Sequence, residues 1–160
     1  MKYSAASESA RPLPGQHRAE AAVGRLEPVD PAHYLSRHYA VSQIDRAKYQ
    51  VVRTAEAFDR VDGVGPEFSA LIASLSSKQP QGLLCDLRLA RGRNDRAFEV
   101  QVAEYRRRLL SLTRNTVVLV ATATGALQVM RHAVLDGLPD LRVVADPLVA
   151  RRLVLAGLRT

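Results

Sequence analysis

Apolar positions along this chain fall into two periods. Leu83-Leu-Cys85 and Val117-Val-Leu-Val120 are continuous apolar runs, as in strands covered on both faces, whereas Phe68, Leu71, Ile72 and Leu75 recur at the spacing of one helix face. The same reading predicts strands over 38–44 and 49–54, joined by a turn at Asp45-Arg-Ala47 and close enough to pair as an antiparallel hairpin. A helix opens over 63–67, with Pro66 at its first helical position where no N–H is required, and it stops before Pro80. A strand spans 82–90. Asn94 or Asp95 caps the next helix, whose inner face is Phe98, Val102, Tyr105, Leu109 and Leu112 and whose outer face holds Glu99, Glu104 and Arg106-Arg-Arg108. The strand over 116–121 leads through Thr122-Ala-Thr-Gly125 into a helix with Leu127, Met130 and Val134 inward, closed by Gly137. A last strand covers 141–145, and Asp146 and Pro147 start a final helix running to about Leu158.

The predicted order is β-β-α-β-α-β-α-β-α. Strands alternating with helices of this length imply right-handed crossovers, so the fold class is α/β: an opening β-hairpin, then a mainly parallel central sheet with four helices. No internal repeat is visible. Residues 1–36 differ. Pro12, Pro14, Pro28 and Pro31 are half of the chain's prolines, and no apolar period is sustained there. This segment reads as a disordered or loosely docked N-terminal extension, with residues 37–160 forming the domain.

Composition narrows the class. With 160 residues, 47% of them apolar, one compact core is the default. The single cysteine, Cys85, excludes an internal disulfide and reads as an inert core thiol. No apolar run is long enough to cross a bilayer and the N-terminus is too polar for a signal peptide, so the expectation is a cytoplasmic protein without a transmembrane segment. The net charge of +7 resides mostly in residues 38–160, which carry eighteen basic and twelve acidic groups. Arginine supplies twenty of the twenty-three basic residues, a bias that fits a GC-rich bacterial genome, and Trp is absent. With so little material for base stacking, nucleic acid is not the expected partner.

Two loops carry the candidate chemistry. Arg91-Gly-Arg-Asn-Asp-Arg96 and Thr122-Ala-Thr-Gly125 each follow a strand and precede a helix N-terminus, which places them on one rim of a parallel sheet. Helix N-termini present unpaired N–H groups and partial positive charge, and Arg91, Arg93 and Arg96 add to it. Arg91, Arg93, Asn94, Asp95, Arg96, Thr122, Thr124 and Gly125 are therefore the candidate site for an anion or an acidic partner loop. The plainer reading makes Asn94, Asp95, Thr122 and Thr124 caps and the arginines solvated. Catalytic signatures are missing: there is no phosphate-binding GxxxxGK[ST], Gly63 and Gly65 are only a fragment of a dinucleotide fingerprint, and Cys85 has no histidine partner. His17, His33, His38 and His132 are scattered, so no metal site and no cofactor are expected, and His132 reads as a surface residue. Asp86 and Asp95 form a conceivable carboxylate pair, but Asp86 beside Arg88 reads as an ion-paired residue at a sheet end.

Over residues 38–158 the element order resembles the STAS domains (sulfate transporter and anti-sigma factor antagonist). Leu83-Leu-Cys-Asp86 is similar to that family's hydrophobic strand with its aspartate, and Asn94-Asp95-Arg96-Ala97-Phe98 to its loop-to-helix junction. The resemblance implies a partner-binding signalling module, with lipid-binding relatives in the same fold group. Where the family's phosphorylatable serine would stand, this chain has Arg96. A phosphoserine adds about −1.5 to −2 charges; Arg96 fixes a positive one instead. The leading expectation is a non-enzymatic regulatory or scaffold module that binds a protein partner of kinase or sigma-regulator type through the basic rim; a homodimer is a separate option with no surface assigned. The alternative is a small-ligand domain for a nucleotide, lipid or other anion, and a third reading is an enzyme of unrecognised type.

Overall fold

The computed structural model describes residues 34–58, 61–91 and 95–157. It is an α/β fold: a six-stranded mixed sheet with four α-helices. Strands β1 (Tyr34–Leu35), β2 (Tyr39–Asp45) and β3 (Lys48–Arg53) pair antiparallel in succession. β4 (Gly82–Asp86), β5 (Thr116–Leu119) and β6 (Arg142–Val144) continue the sheet in parallel from β3. A short 3-10 turn (Val61–Gly63) leads into α1 (Val64–Ser76) between β3 and β4; α2 (Arg96–Leu110), α3 (Ala123–Leu135) and α4 (Pro147–Ala156) follow β4, β5 and β6.

The strands lie side by side in chain order, β1 through β6. Crossovers of one hand that always advance in one direction put their helices on one face. Accordingly α1, α2 and the inner side of α3 share a core with Val41, Tyr49, Val51, Leu83, Cys85, Val118 and Val120. The opposite face carries α4 alone, where Ala150 and Val154 pack on Ile44, Leu84, Val117 and Leu119. Alternation along β4 and β5 divides their continuous apolar runs between these two cores, as expected for strands covered on both sides.

Local chemistry sets the boundaries. Asp95 accepts from the Phe98 N–H at 2.8 Å and caps α2; Thr122 accepts from the Gly125 N–H at 3.0 Å and caps α3. Asp146 accepts from the N–H groups of Leu148 and Val149 ahead of α4, with Pro147 at the first position. Gly137, at φ +75, lets the chain turn away after α3. Gly65 matters for packing and not for conformation. A Cβ there would sit 2.8 Å from the Tyr105 hydroxyl, so glycine permits the close approach of α1 to α2.

Several expectations need correction. β1 lies within the segment read as an N-terminal extension; residues 1–33 of that segment, with His17, His33 and its prolines, fall outside the described residues. Pro66 is the third residue of α1, not the first, because the 3-10 turn runs straight into the helix. It is tolerated because first-turn N–H groups have no intrahelical partner. The strand read over 82–90 ends at Asp86: the carboxylate turns back to accept the Arg88 N–H at 3.1 Å and bends the chain out of the sheet. α4 ends at Ala156, short of the expected Leu158, which is outside the described residues.

The largest correction concerns α3. Periodicity alone places Leu127, Met130 and Val134 inward; they instead face outward at 69%, 51% and 65% exposure. The residues turned to the sheet are small: Ala126, Val129 and Ala133. α3 thus stands over β5 and β6 without filling the space beneath it.

Candidate functional site

That unfilled space is a cleft of about 780 Å³ between α2 and α3, floored by the sheet. Cys85, Val118 and Val120 form the floor; Phe98, Val102, Arg106 and Leu109 line the α2 wall; Thr124, Gly125, Gln128, Val129, His132 and Ala133 line the α3 wall. The α3 positions recur three and four apart, so one face of the helix lines the cleft over its whole length. At the strand-end rim stand Arg53, Arg88, Arg91 and Thr122, with Tyr39, Phe58 and Phe68 beside them. Strand order never reverses among β3 to β6, so there is no switch-point crevice of the usual α/β kind. The opening comes instead from the small inner face of α3.

The candidate residues divide. Arg91, Thr122, Thr124 and Gly125 line the cleft. Asp95 caps α2, and Arg96 is exposed as the first residue of that helix. Arg93 and Asn94 lie outside the described residues. Arg91 and the Thr122–Gly125 turn share one rim, and what they border is an apolar cleft and not a bare anion nest.

Polar groups bracket the cleft. Asp86, buried in the sheet end, accepts from Arg88 Nε at 3.0 Å and Nη2 at 2.8 Å, an ion pair that holds the Arg88 charge on and carries Gln50 Nε2 at 3.4 Å. Between α2 and α3, Arg106 donates to Asp136 from Nε at 2.5 Å and from Nη2 at 3.1 Å. The triple-arginine face is therefore not wholly solvated: Arg106 turns in while Arg107 and Arg108 stay exposed. His132 is not the surface residue expected either. Its side chain is 12% exposed, faces the cleft with Nε2 3.5 Å from Glu99 Oε1, and burial together with the Arg106 charge moves its pKa down. Cys85 on the floor is held protonated, burial pushing its thiol up to about 12.

Arg53 is the residue that sequence reasoning passed over. It is 7% exposed, closes β3 in phase with the core residues Tyr49 and Val51, and lies over the Phe58 ring at 4.6 Å and the Tyr39 ring at 5.4 Å. Its Nη1 donates to the carbonyls of His38 at 3.2 Å and Thr54 at 2.9 Å, and its Nη2 to the carbonyl of Glu56 at 2.6 Å. A charged residue at a core-phase strand position was the readable signal. Burial lowers its pKa.

Among the described residues no group of three or more His, Cys, Asp or Glu side chains is placed to hold a metal ion, and no helix is long and apolar enough to cross a membrane. Comparison with known proteins finds no match to any family model, curated protein or solved structure.

Proposed function

We propose that this chain is a small-ligand binding domain whose ligand lies in the cleft between α2 and α3. The observation that carries this reading is the cleft itself. Its volume of about 780 Å³ falls within the range of ligand sites, and apolar walls with few convergent polar groups are their usual lining. The role we assign is binding, since the carboxylates beside the cleft, Asp86 and Asp136, are occupied by Arg88 and Arg106. A STAS-like architecture is supported by the element order after β1, with Arg96 in place of the phosphorylatable serine.

Filling the cleft tests the reading. Ala133, 4% exposed, faces the space from α3. Titrating the full chain with the neutral apolar dye Nile red is expected to give saturable, blue-shifted emission. Ala133→Phe is expected to weaken that binding by about tenfold or more while the melting temperature stays level or rises, since the ring enters existing space. Undiminished dye binding by a folded Ala133→Phe variant overturns the assignment.

A second reading, docking of a protein partner, is favoured by the exposed Leu127, Met130, Val134 and Leu135 on α3. A second copy of the chain is the simplest such partner. Sedimentation equilibrium is expected to show a dimer that Met130→Lys dissociates. A monomer in both cases removes self-association as the use of that face.

A further inference from the structure

The cleft is asymmetric in charge. Resting on the binding role proposed above, we infer that its ligand is an amphipathic anion, with a single apolar tail between α2 and α3 and an oxyanion head at the strand-end rim beside Arg53 and Arg91. Among the described residues four arginines line the cleft and no aspartate or glutamate does. Two of the four are committed, Arg88 to Asp86 and Arg106 to Asp136. Arg53 is held differently. It is buried against Phe58 and Tyr39 and anchored by backbone carbonyls, and among the described residues no carboxylate is within ion-pair distance of it. Carbonyl dipoles position the guanidinium, and Glu67 and Glu56 act on it only from beyond ion-pair distance, so its charge lacks a contact partner, which is costly away from water. An oxyanion supplied by a ligand removes that cost, and the planar guanidinium suits carboxylate and phosphate alike.

The surroundings agree with the assignment. Arg91 is exposed on the same rim, just after β4 and its turn, where its charge draws anions toward the opening. The N-terminus of α3 ends there too, with its positive dipole end. Away from the rim the floor and walls are hydrocarbon and one thiol: Cys85, Val102, Leu109, Val129 and Ala133. From Thr124 to Ala133 the lining face of α3 runs roughly 14 Å at about 1.5 Å per residue, a length suited to an extended tail.

Calorimetric titration of the full chain with dodecanoate, dodecyl phosphate and dodecanol, each below its aggregation threshold, separates head from tail. At least one of the two anions is expected to bind about tenfold tighter than the alcohol, the gain typical of a charge-assisted hydrogen bond. Which anion it is identifies the head as carboxylate or phosphate. Arg53→Gln is expected to remove most of the difference while changing dodecanol affinity much less. Arg91→Glu, an exposed change that leaves packing untouched, is expected to weaken the anions several-fold in low salt and less in high salt. Dodecanol binding as tightly as both anions, or anion affinity indifferent to both arginine variants, overturns the ligand class and leaves the binding role standing. Failure of all three compounds to bind while Nile red still binds overturns the class in the same way. Failure of Nile red as well overturns the binding role itself.

Discussion

Asp86→Ala is expected to destabilise the chain by about 3–5 kcal/mol, the usual cost of removing one partner from a buried ion pair. The carboxylate is 3% exposed and accepts from Arg88 Nε, Arg88 Nη2 and the Arg88 backbone N–H. Without it the Arg88 guanidinium, whose side chain is 11% exposed, loses its counter-charge, and the turn that ends β4 loses its acceptor. The measurement is the urea midpoint with an unchanged slope. Replacing both residues, Asp86→Leu with Arg88→Leu, is expected to recover part of the loss, because an apolar pair carries no desolvation cost while the turn still lacks its acceptor. A single Asp86→Ala variant within about 0.5 kcal/mol of the parent chain would show that the pair contributes nothing to stability.

Glu67→Ala is expected to cost about 3 kcal/mol and to loosen one end of the cleft. Glu67, on α1, gathers three donors from the segment between β1 and β2. Its Oε1 accepts from the Ser36 hydroxyl and from the His38 N–H at 3.2 Å, and its Oε2 meets His38 Nδ1 at 2.5 Å. His38 Nε2 reaches the Ala57 carbonyl at 3.0 Å, so both ring nitrogens face acceptors. The same imidazole stacks on Phe58 at 4.1 Å, and Phe58 in turn carries Arg53. Truncating Glu67 therefore strips the support from the aromatic wall as well as from the first strands. Hydrogen exchange is expected to show lost protection over residues 34–40, where amides such as that of Tyr39 depend on Ser36. Glu67→Gln keeps one acceptor oxygen and is expected to fall between the two. Unchanged protection over 34–40 in Glu67→Ala would remove Glu67 from this role.

Most of the fold was legible because it is local. The faces of α1 and α2, the caps Asp95, Thr122 and Asp146, and the hairpin of β2 and β3 are written in residues a few positions apart. The Glu67 cluster was not legible, since Ser36 and His38 are brought to α1 from about thirty residues away by β1 and β2 pairing. α3 failed for another reason. Both Leu127, Met130, Val134 and Ala126, Val129, Ala133 recur at positions suited to one helix face. Apolar periodicity counts hydrophobicity and ignores volume, so it chose the larger set. The structure turns the smaller set inward, and the cleft stays open beside it. The rim was anticipated through Arg91 and Thr122, while Arg53, which gives it charge without a carboxylate, stood in plain sight as the one cation in phase with Tyr49 and Val51.

Strand order has a consequence for how the molecule comes into being. Because β1 through β6 lie in the sheet in the order of synthesis, each new strand docks on an edge already present, as Gly82 does beside Lys48 and Thr116 beside Leu83. No strand has to be inserted between two earlier neighbours. Loop closure is thus confined to one strand–helix unit at a time, and a chain emerging from the ribosome can grow its sheet from the amino end without undoing earlier pairings. The β2–β3 hairpin, carrying Arg53, precedes β4 and β5 with α2 and α3 in the chain, so that one charge of the cleft can be in place before its hydrocarbon walls close over it.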